Sequence, residues 1–166
     1  RLTTAPGGCR AGLGEAHRGP GCLASLPFAL GHLLAAHWLE AEEVGDDNFG
    51  VQFDTCHAHM VAAVGARQPG EKETLPGGAV ELAQRLSGKI NHIHLIDSDG
   101  TLHDDETSTH APFGDGLLDF DVLVPELNKV GVPHDWWTID LCFWPNAWVV
   151  TEKCKKAVDE LNEKYG

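Results

Sequence analysis

The spacing of apolar residues divides most of the chain into short strands and longer amphipathic helices. Compact apolar runs predict buried strands at 50–54, 90–96 and 136–143. Apolar residues at helical spacing predict helices at 25–43, 58–67, 76–87, 120–130 and 147–164. Helices that alternate with strands usually join parallel strands through right-handed crossovers. The pattern therefore predicts an α/β fold built on a parallel sheet.

The first 22 residues follow neither the strand period nor the helix period. They contain six glycines, two prolines and three arginines, a composition typical of irregular chain. We therefore predict an irregular or disordered arm at 1–22 and a single folded domain at 23–166. Ser25 is the predicted N-cap of the first helix.

Residues 97–118 are predicted to form one long loop between a strand and a helix. The segment is rich in aspartate, histidine, threonine and glycine, and loops of this length inside a domain are often functional. Five of its acidic residues are expected to form a solvated acidic surface. They are Asp97, Asp99, Asp104, Asp105 and Glu106.

Residues that can bind a metal lie at the ends of all three predicted strands. Asp54 and His57 fall where the first strand breaks into a loop. The two-residue strand period places His92 and His94 on one face of the second strand, and Asp140 lies near the end of the third. Functional groups gather at the carboxyl ends of parallel strands. We therefore predict that Asp54, His94 and Asp140 bind one divalent metal ion.

Each of these residues also has a purely structural interpretation. Asp54 is well placed to cap the helix that follows it, and His94 is also compatible with a buried core histidine. His92 is a candidate for a support that orients a ligand. A buried Asp140 requires either a cation or an arginine partner, because an unpaired carboxylate is costly to bury. Trp144 is equally compatible with core packing and with an apolar wall against a sugar.

Composition and charge narrow the classes of function. The chain of 166 residues is 42% apolar and 22% charged, which suits one soluble domain with a core. No apolar run reaches the roughly 18 residues of a membrane span, and no signal-peptide pattern is present. The formal net charge of −13 opposes binding to nucleic acid.

The cysteines indicate a reducing environment. Their number, five, is odd, and no C-x-x-C pair occurs, so neither a disulfide framework nor a zinc ribbon is predicted. We expect reduced, mostly buried thiols in a cytoplasmic protein, with Cys56 in a packing role.

Three motifs, in order, resemble one known family. They are Phe-Asp-Thr-Cys-His at 53–57, His-Ile-His-Leu-Ile-Asp-Ser at 92–98, and His-Ala-Pro-Phe-Gly-Asp-Gly at 110–116 followed by Asp119-Phe120. Together they are similar to the xylose isomerase-like TIM-barrel superfamily, which includes sugar phosphate isomerases and epimerases and the endonuclease IV family. The likeness covers about residues 45–164. It implies a (β/α) TIM-barrel type of fold, here a partial barrel with parallel strands.

The resemblance assigns roles to individual residues. It implies that Asp54 and His94 bind metal, and that Asp140 stands where the family usually has a glutamate that binds metal and acts as a base. His57 would bind substrate and, with Asp140, take part in catalysis. His110 matches a histidine that the nuclease branch uses for metal.

Among these residues we predict that the substrate is bound by His57, His92 and His110. The expected cofactor is manganese, magnesium or zinc, and the expected partner is a small sugar or polyol. Neither nucleic acid nor a membrane is an expected partner.

The sequence also departs from the family pattern. The nuclease branch has an aspartate two residues before the last histidine, where this chain has Ser108. A TIM barrel usually takes about 250 residues. The family's first metal carboxylate lies on an earlier strand, and the only acidic residue before the first predicted helix is Glu15. We therefore expect that ligand to be missing and the metal site to be weakened.

Three functions follow from these observations. The first is a metal-dependent sugar or sugar phosphate isomerase or epimerase, which moves a proton beside a carbonyl through an enediolate. The second is endonuclease IV-like cleavage of a phosphodiester, which Ser108 and the negative charge oppose. The third is a non-catalytic barrel fragment whose open sheet edges favour a homo-oligomer.

Overall fold

The structure is a computed structural model that describes residues 23–25, 43–46, 49–68, 70–105, 107–132 and 136–166. The predicted arm at 1–22 lies outside these residues, and so do residues 26–42 of the first predicted helix. Glu43 and Val44, at the end of that helix, are helical. Ser25 was expected to cap the same helix, but it is the last residue of a short strand.

Helices follow the second, fifth and sixth strands of the described chain, and three strands between residues 90 and 111 follow one another without a helix. The strands are β1 (Leu23–Ser25), β2 (Gly50–Asp54), β3 (Ile90–Leu95), β4 (Asp97–His103), β5 (Thr107–Ala111) and β6 (Thr138–Ile139). The helices are α1 (Thr55–His59), which continues as a π-helical segment (Met60–Val64), α2 (Gly78–Arg85), α3 (Phe120–Val130) and α4 (Ala147–Tyr165).

Four parallel strands form the main sheet, in the order β1-β2-β3-β6. This arrangement confirms the predicted α/β fold with parallel strands. In the register of the sheet, His94 lies opposite Asp54 on one side and opposite Thr138 on the other. Asp140 follows two residues after Thr138. The register therefore brings the ends of three neighbouring strands to one edge of the sheet.

The core lies between this sheet and the helices. Phe53 on β2 and Ile93 on β3 are fully buried, and they belong to the same apolar cluster as Leu82 of α2 and Leu127 of α3. Burial of each such side chain contributes about 1.5–3 kcal/mol. This cluster fixes the strands whose ends carry the polar residues.

The prediction of one long loop at 97–118 is wrong, because β4 and β5 form an antiparallel hairpin there. Asp104 and Asp105 make the turn with positive φ values of 51° and 57°, a conformation that aspartate tolerates better than most residues. The strands are built largely from threonine, serine, aspartate and histidine, so they carry no apolar alternation.

The expectation that Asp97 belongs to a solvated acidic surface is also wrong. Its side chain is buried, with 1% of the residue exposed. Oδ1 accepts hydrogen bonds from the backbone N–H groups of Ser98 and Leu118, and Oδ2 accepts from those of Gly114 and Gly116, at 2.8–3.1 Å. A Cβ at Gly116 would lie 2.3 Å from Oδ1, so only glycine leaves room for the carboxylate. Asp97 thus ties the start of the hairpin to the turn that follows it.

Two predicted elements have different bounds in the structure. The helix expected at 58–67 begins at Thr55, because Asp54 caps it. The strand expected at 136–143 is reduced to Thr138–Ile139, although the sequence around it is strongly apolar. None of the helices in the described part of the chain combines the length and apolarity that a membrane crossing requires.

We predict that Asp97→Ala lowers the free energy of unfolding by about 3 kcal/mol, because four backbone N–H groups lose a charged acceptor. Urea denaturation followed by circular dichroism measures the change. Asp115→Ala is the matched control, because Asp115 lies in the same turn but is exposed and paired with Lys153 at the surface. Its change should stay below about 1 kcal/mol. Equal losses in the two variants would contradict the assigned role of Asp97.

Candidate functional site

Asp54 uses its two carboxylate oxygens for different tasks. Oδ1 accepts a hydrogen bond of 2.9 Å from the backbone N–H of His57 and so caps α1. Oδ2 has no hydrogen bond and is buried, but it lies 3.5 Å from His94 Nδ1 and 3.5 Å from His110 Nε2. The helix cap and the metal ligand, which were alternatives from the sequence, are therefore compatible in one side chain.

His94 lies between the two carboxylates. Its Nδ1 is 3.1 Å from Asp140 Oδ2 and 3.5 Å from Asp54 Oδ2, and Gln52 Nε2 lies 3.2 Å away. The hydrogen bond to Asp140 and then the contact with Asp54 raise the pKa of His94 to about 9, against the opposing effect of burial. Without a metal ion, His94 is therefore the cation that the two carboxylates share.

Asp140 follows β6 and is half-buried. Oδ1 accepts a hydrogen bond of 2.9 Å from the backbone N–H of Cys142, so Oδ2 is the oxygen that contacts His94. That contact holds the pKa of Asp140 below its usual value. Asp140 is therefore an ionised carboxylate with one oxygen fixed by the backbone and the other directed at the imidazole.

His110, on β5 of the hairpin, lies beside Asp54 and Asp140. Its Nδ1 lies 3.1 Å from the backbone carbonyl oxygen of Ser108. Since a carbonyl only accepts, Nδ1 carries a proton there. Nε2 is buried without a hydrogen bond, 3.5 Å from Asp54 Oδ2 and 4.0 Å from Asp140 Oδ2. Burial opposes a positive charge, yet the contact with Asp54 raises the pKa of His110.

His57 lies beside this group on α1. Its Nδ1 forms a 2.9 Å hydrogen bond with Ser108 Oγ, and its ring packs edge-on against His110 with centroids 4.9 Å apart. Burial lowers the pKa of His57, so the ring is neutral at neutral pH. Ser108, which replaces an aspartate of the nuclease branch, therefore supports a histidine instead of supplying a carboxylate.

His92 lies next to His94 on the same face of β3, as the strand period predicts. The two rings are 5.3 Å apart. His92 Nε2 bonds to Thr138 Oγ1 at 2.9 Å, and its ring packs against Trp136. These contacts suit a support for His94. The predicted substrate-binding role of His92 stays a prediction.

The described residues satisfy a simple test for a divalent cation. Ligand atoms of Asp54, His94 and Asp140 lie within 4.8 Å of one another, and so do those of Asp54, His57 and His110. A tetrahedral ion with bonds of about 2.1 Å separates its ligand atoms by about 3.4 Å. Three of the separations in the structure are 3.1–3.5 Å, close to this spacing, and His110 Nε2 lies 4.0 Å from Asp140 Oδ2. The unsatisfied Asp54 Oδ2 and His110 Nε2 face one another, where a cation would satisfy both.

Two residues that support the site, Thr55 and Gln52, were not predicted from the sequence. Thr55, fully buried, donates from Oγ1 to the carbonyl oxygen of Ile96 and accepts from its backbone N–H, at 2.5 and 2.8 Å. It fixes the end of β3 to the end of β2. Gln52 lies two residues before Asp54 on β2, so the strand period indicates its position, although its polarity alone does not reveal a contact with His94.

Cys56 packs as predicted. It is fully buried, its Sγ lies 3.3 Å from the carbonyl oxygen of Thr109, and burial raises the pKa of the thiol to about 12. Cys56, Cys142 and Cys154 are free thiols in the described part of the chain.

We predict that, in the metal-free chain, the His94 ring titrates near pH 9 in place of 6.5. This pKa is raised in the folded state, so its stabilising effect is complete below about pH 6.5 and is lost as the pH rises through 9. Histidine NMR titration in the presence of a chelator measures it. Asp140→Asn should move the midpoint back toward 6.5, whereas Asp99→Asn should leave it unchanged. A wild-type midpoint near 6.5 would rule out the shared carboxylate contacts.

Two solved structures share the fold of the chain. The IolI protein, described in a 1.8 Å crystal structure with a binding zinc atom, is 23% identical with a TM-score of 0.55, over 79% of this chain and 43% of that one. A xylose isomerase domain protein from Planctomyces limnophilus is 15% identical with a TM-score of 0.55, over 87% of this chain and 45% of that one. The chain therefore spans less than half the length of either structure.

Sequence comparisons identify the family. No curated protein matches the chain significantly. The family described as xylose isomerase-like TIM barrel matches residues 32–154, well over half of the chain. This range contains Asp54, His94, His110 and Asp140. The chain belongs to the xylose isomerase-like TIM-barrel family and forms a partial barrel of that fold.

Proposed function

We propose that the chain carries the divalent-metal site of a sugar isomerase or epimerase. The observation that carries the proposal is the buried pair of unsatisfied atoms, Asp54 Oδ2 and His110 Nε2, at 3.5 Å. Both are typical metal ligands. The zinc atom of the structurally similar IolI protein supports a metal site in this fold.

Four donors would hold the ion. They are Asp54 Oδ2, His94 Nδ1, Asp140 Oδ2 and His110 Nε2, which come from β2, β3, the segment after β6, and β5. When bound, a divalent ion polarises a carbonyl and stabilises the negative charge that develops beside it. Manganese, magnesium and zinc are all compatible with oxygen and imidazole donors, although two imidazoles favour zinc or manganese over magnesium.

The chain's own residues would bind the substrate and move the proton. Asp140 is ionised, so its carboxylate is a candidate to accept a proton from the carbon beside the carbonyl. His57 is neutral and adjoins the donors, so it is suited to orient a substrate hydroxyl. We infer that the substrate is a small sugar or polyol and that Asp140 and His57 carry the catalytic roles. A cytoplasmic location agrees with the reduced thiols.

We predict that the chain binds zinc or manganese and that Asp54→Asn weakens the affinity by about 100-fold or more. The substitution replaces a charged oxygen donor, and even the loss of a residue that only supports a ligand costs about 10–100-fold. Isothermal titration calorimetry measures the affinity. Asp99→Asn removes the same charge from a surface carboxylate that hydrogen-bonds to Thr101, so its affinity should match that of the wild type. Equal affinity in both variants would place the metal elsewhere.

We also predict that the chain exchanges solvent deuterium into a ketose, and that EDTA abolishes the exchange. Proton NMR of a panel of ketoses with added manganese detects the lost carbon-bound proton. His57→Gln should slow exchange without loss of metal affinity, because His57 is assigned to the substrate. A chain that binds metal but exchanges no proton in any ketose of the panel would be a metal-binding barrel fragment and not an isomerase.

A further inference from the structure

A large cavity lies beside the proposed metal site. We name it the hairpin cavity, and it is bounded by His103, Thr109 and His110 of the hairpin and by Phe143, Trp144 and Val150 after β6. Its volume is about 590 Å³, within the range of small-molecule sites. His110 belongs both to the wall of the cavity and to the four proposed donors. A ligand held at the metal site would therefore extend into this space.

The part of the wall that follows β6 is largely apolar and aromatic. Phe143 stacks on the ring of His103, with centroids 5.5 Å apart and planes 8° from parallel. Phe143 has a φ of +61°, which is unusual for a bulky residue, and 62% of it is exposed. The backbone thus accepts an unfavourable conformation that holds an aromatic ring at the cavity without covering it. Strained residues of this kind cluster at ligand sites.

The cavity has no strong recognition element for an anion. None of the described residues that line it is lysine or arginine, and phosphate sites usually rely on such side chains. The net charge of −13 also disfavours an anionic ligand. His103 Nε2 lies 3.3 Å from Asp104 Oδ2, so that nitrogen already has an acidic partner. The cavity therefore suits an uncharged group.

We propose that the hairpin cavity binds a flat apolar group of the substrate, so that the chain acts on an uncharged polyhydroxy ketone or aldehyde that carries an aryl substituent. The inference rests on the proposed function for the polyol end of the ligand. The ring would lie against Phe143 and Trp144, and the polyol would face His110. Stacking of this ring on the two aromatic side chains would favour a ligand with an aryl group over the same ligand without one.

Three probes distinguish the possible substrates: phenyl β-glucoside, glucose and glucose 6-phosphate. Titration calorimetry and saturation-transfer NMR on the purified chain measure their binding. Phenyl β-glucoside should bind at least about tenfold more tightly than glucose, and glucose 6-phosphate no more tightly than glucose. Equal affinities, preference for the phosphate, or no binding of the phenyl glucoside would overturn the proposal.

Aromatic substitutions locate the site. Trp144→Leu and Phe143→Ala should each reduce the affinity for phenyl β-glucoside about fivefold or more while that for glucose is unchanged. Trp148→Ala is the matched control, because Trp148 is 90% exposed and lies outside the cavity. Circular dichroism confirms that each variant is folded. A loss with Trp148→Ala but not with the other two variants would overturn the proposal.

The metal site is tested separately. Asp54→Asn should remove metal binding but keep the preference for the phenyl group, since Asp54 does not line the hairpin cavity. If the wild-type chain binds no metal and still prefers phenyl β-glucoside through Trp144, the proposed isomerase function fails and the aryl pocket stands. If the wild-type chain binds metal but does not prefer phenyl β-glucoside to glucose, the aryl pocket is overturned and the proposed isomerase function is retained.

Discussion

The parallel register of β2, β3 and β6 is the constraint on which the site depends. It sets Asp54 opposite His94 and His94 opposite Thr138, so two carboxylates converge on one imidazole at the sheet edge. Two negative charges this close are unfavourable unless a cation lies between them. A protonated His94 offsets one of the two negative charges, and a bound divalent ion would offset both. The side chains at this edge of the sheet therefore compensate the two carboxylates only in part.

The hairpin reaches the site through a chain of buried polar contacts. Thr55 fixes Ile96 at the end of β3 through two hydrogen bonds. Asp97, the next residue, accepts hydrogen bonds from three backbone N–H groups of the turn that follows the hairpin. The hairpin that starts at Asp97 and ends before this turn places Ser108 and His110 beside the carboxylates of Asp54 and Asp140. Because a buried carboxylate with four donors is costly to disturb, this anchor gives His110 a fixed position.

The sequence predicts the parts of the molecule that apolar periodicity specifies, and it misses those that polar groups specify. The strands at 50–54 and 90–95 and the helices at 120–130 and 147–165 agree closely with their predictions. The hairpin has no apolar period to detect. The partners of Asp97 are backbone groups about twenty residues away, which no side-chain pattern marks. Asp54, His94 and Asp140 were predictable because each lies at or near the end of an apolar run of the sequence.

The proposed donors include His110, which can be compared with the metal-binding carboxylate that the family has on an earlier strand. From the sequence, its absence predicted a weakened site. His110 Nε2 lies 3.5 Å from Asp54 Oδ2 and 4.0 Å from Asp140 Oδ2, so in the proposed site it would be a fourth donor from the hairpin. A tetrahedral ion needs four ligands, and an imidazole in place of a carboxylate lowers the negative charge around it by one. A site of that composition would favour zinc over magnesium.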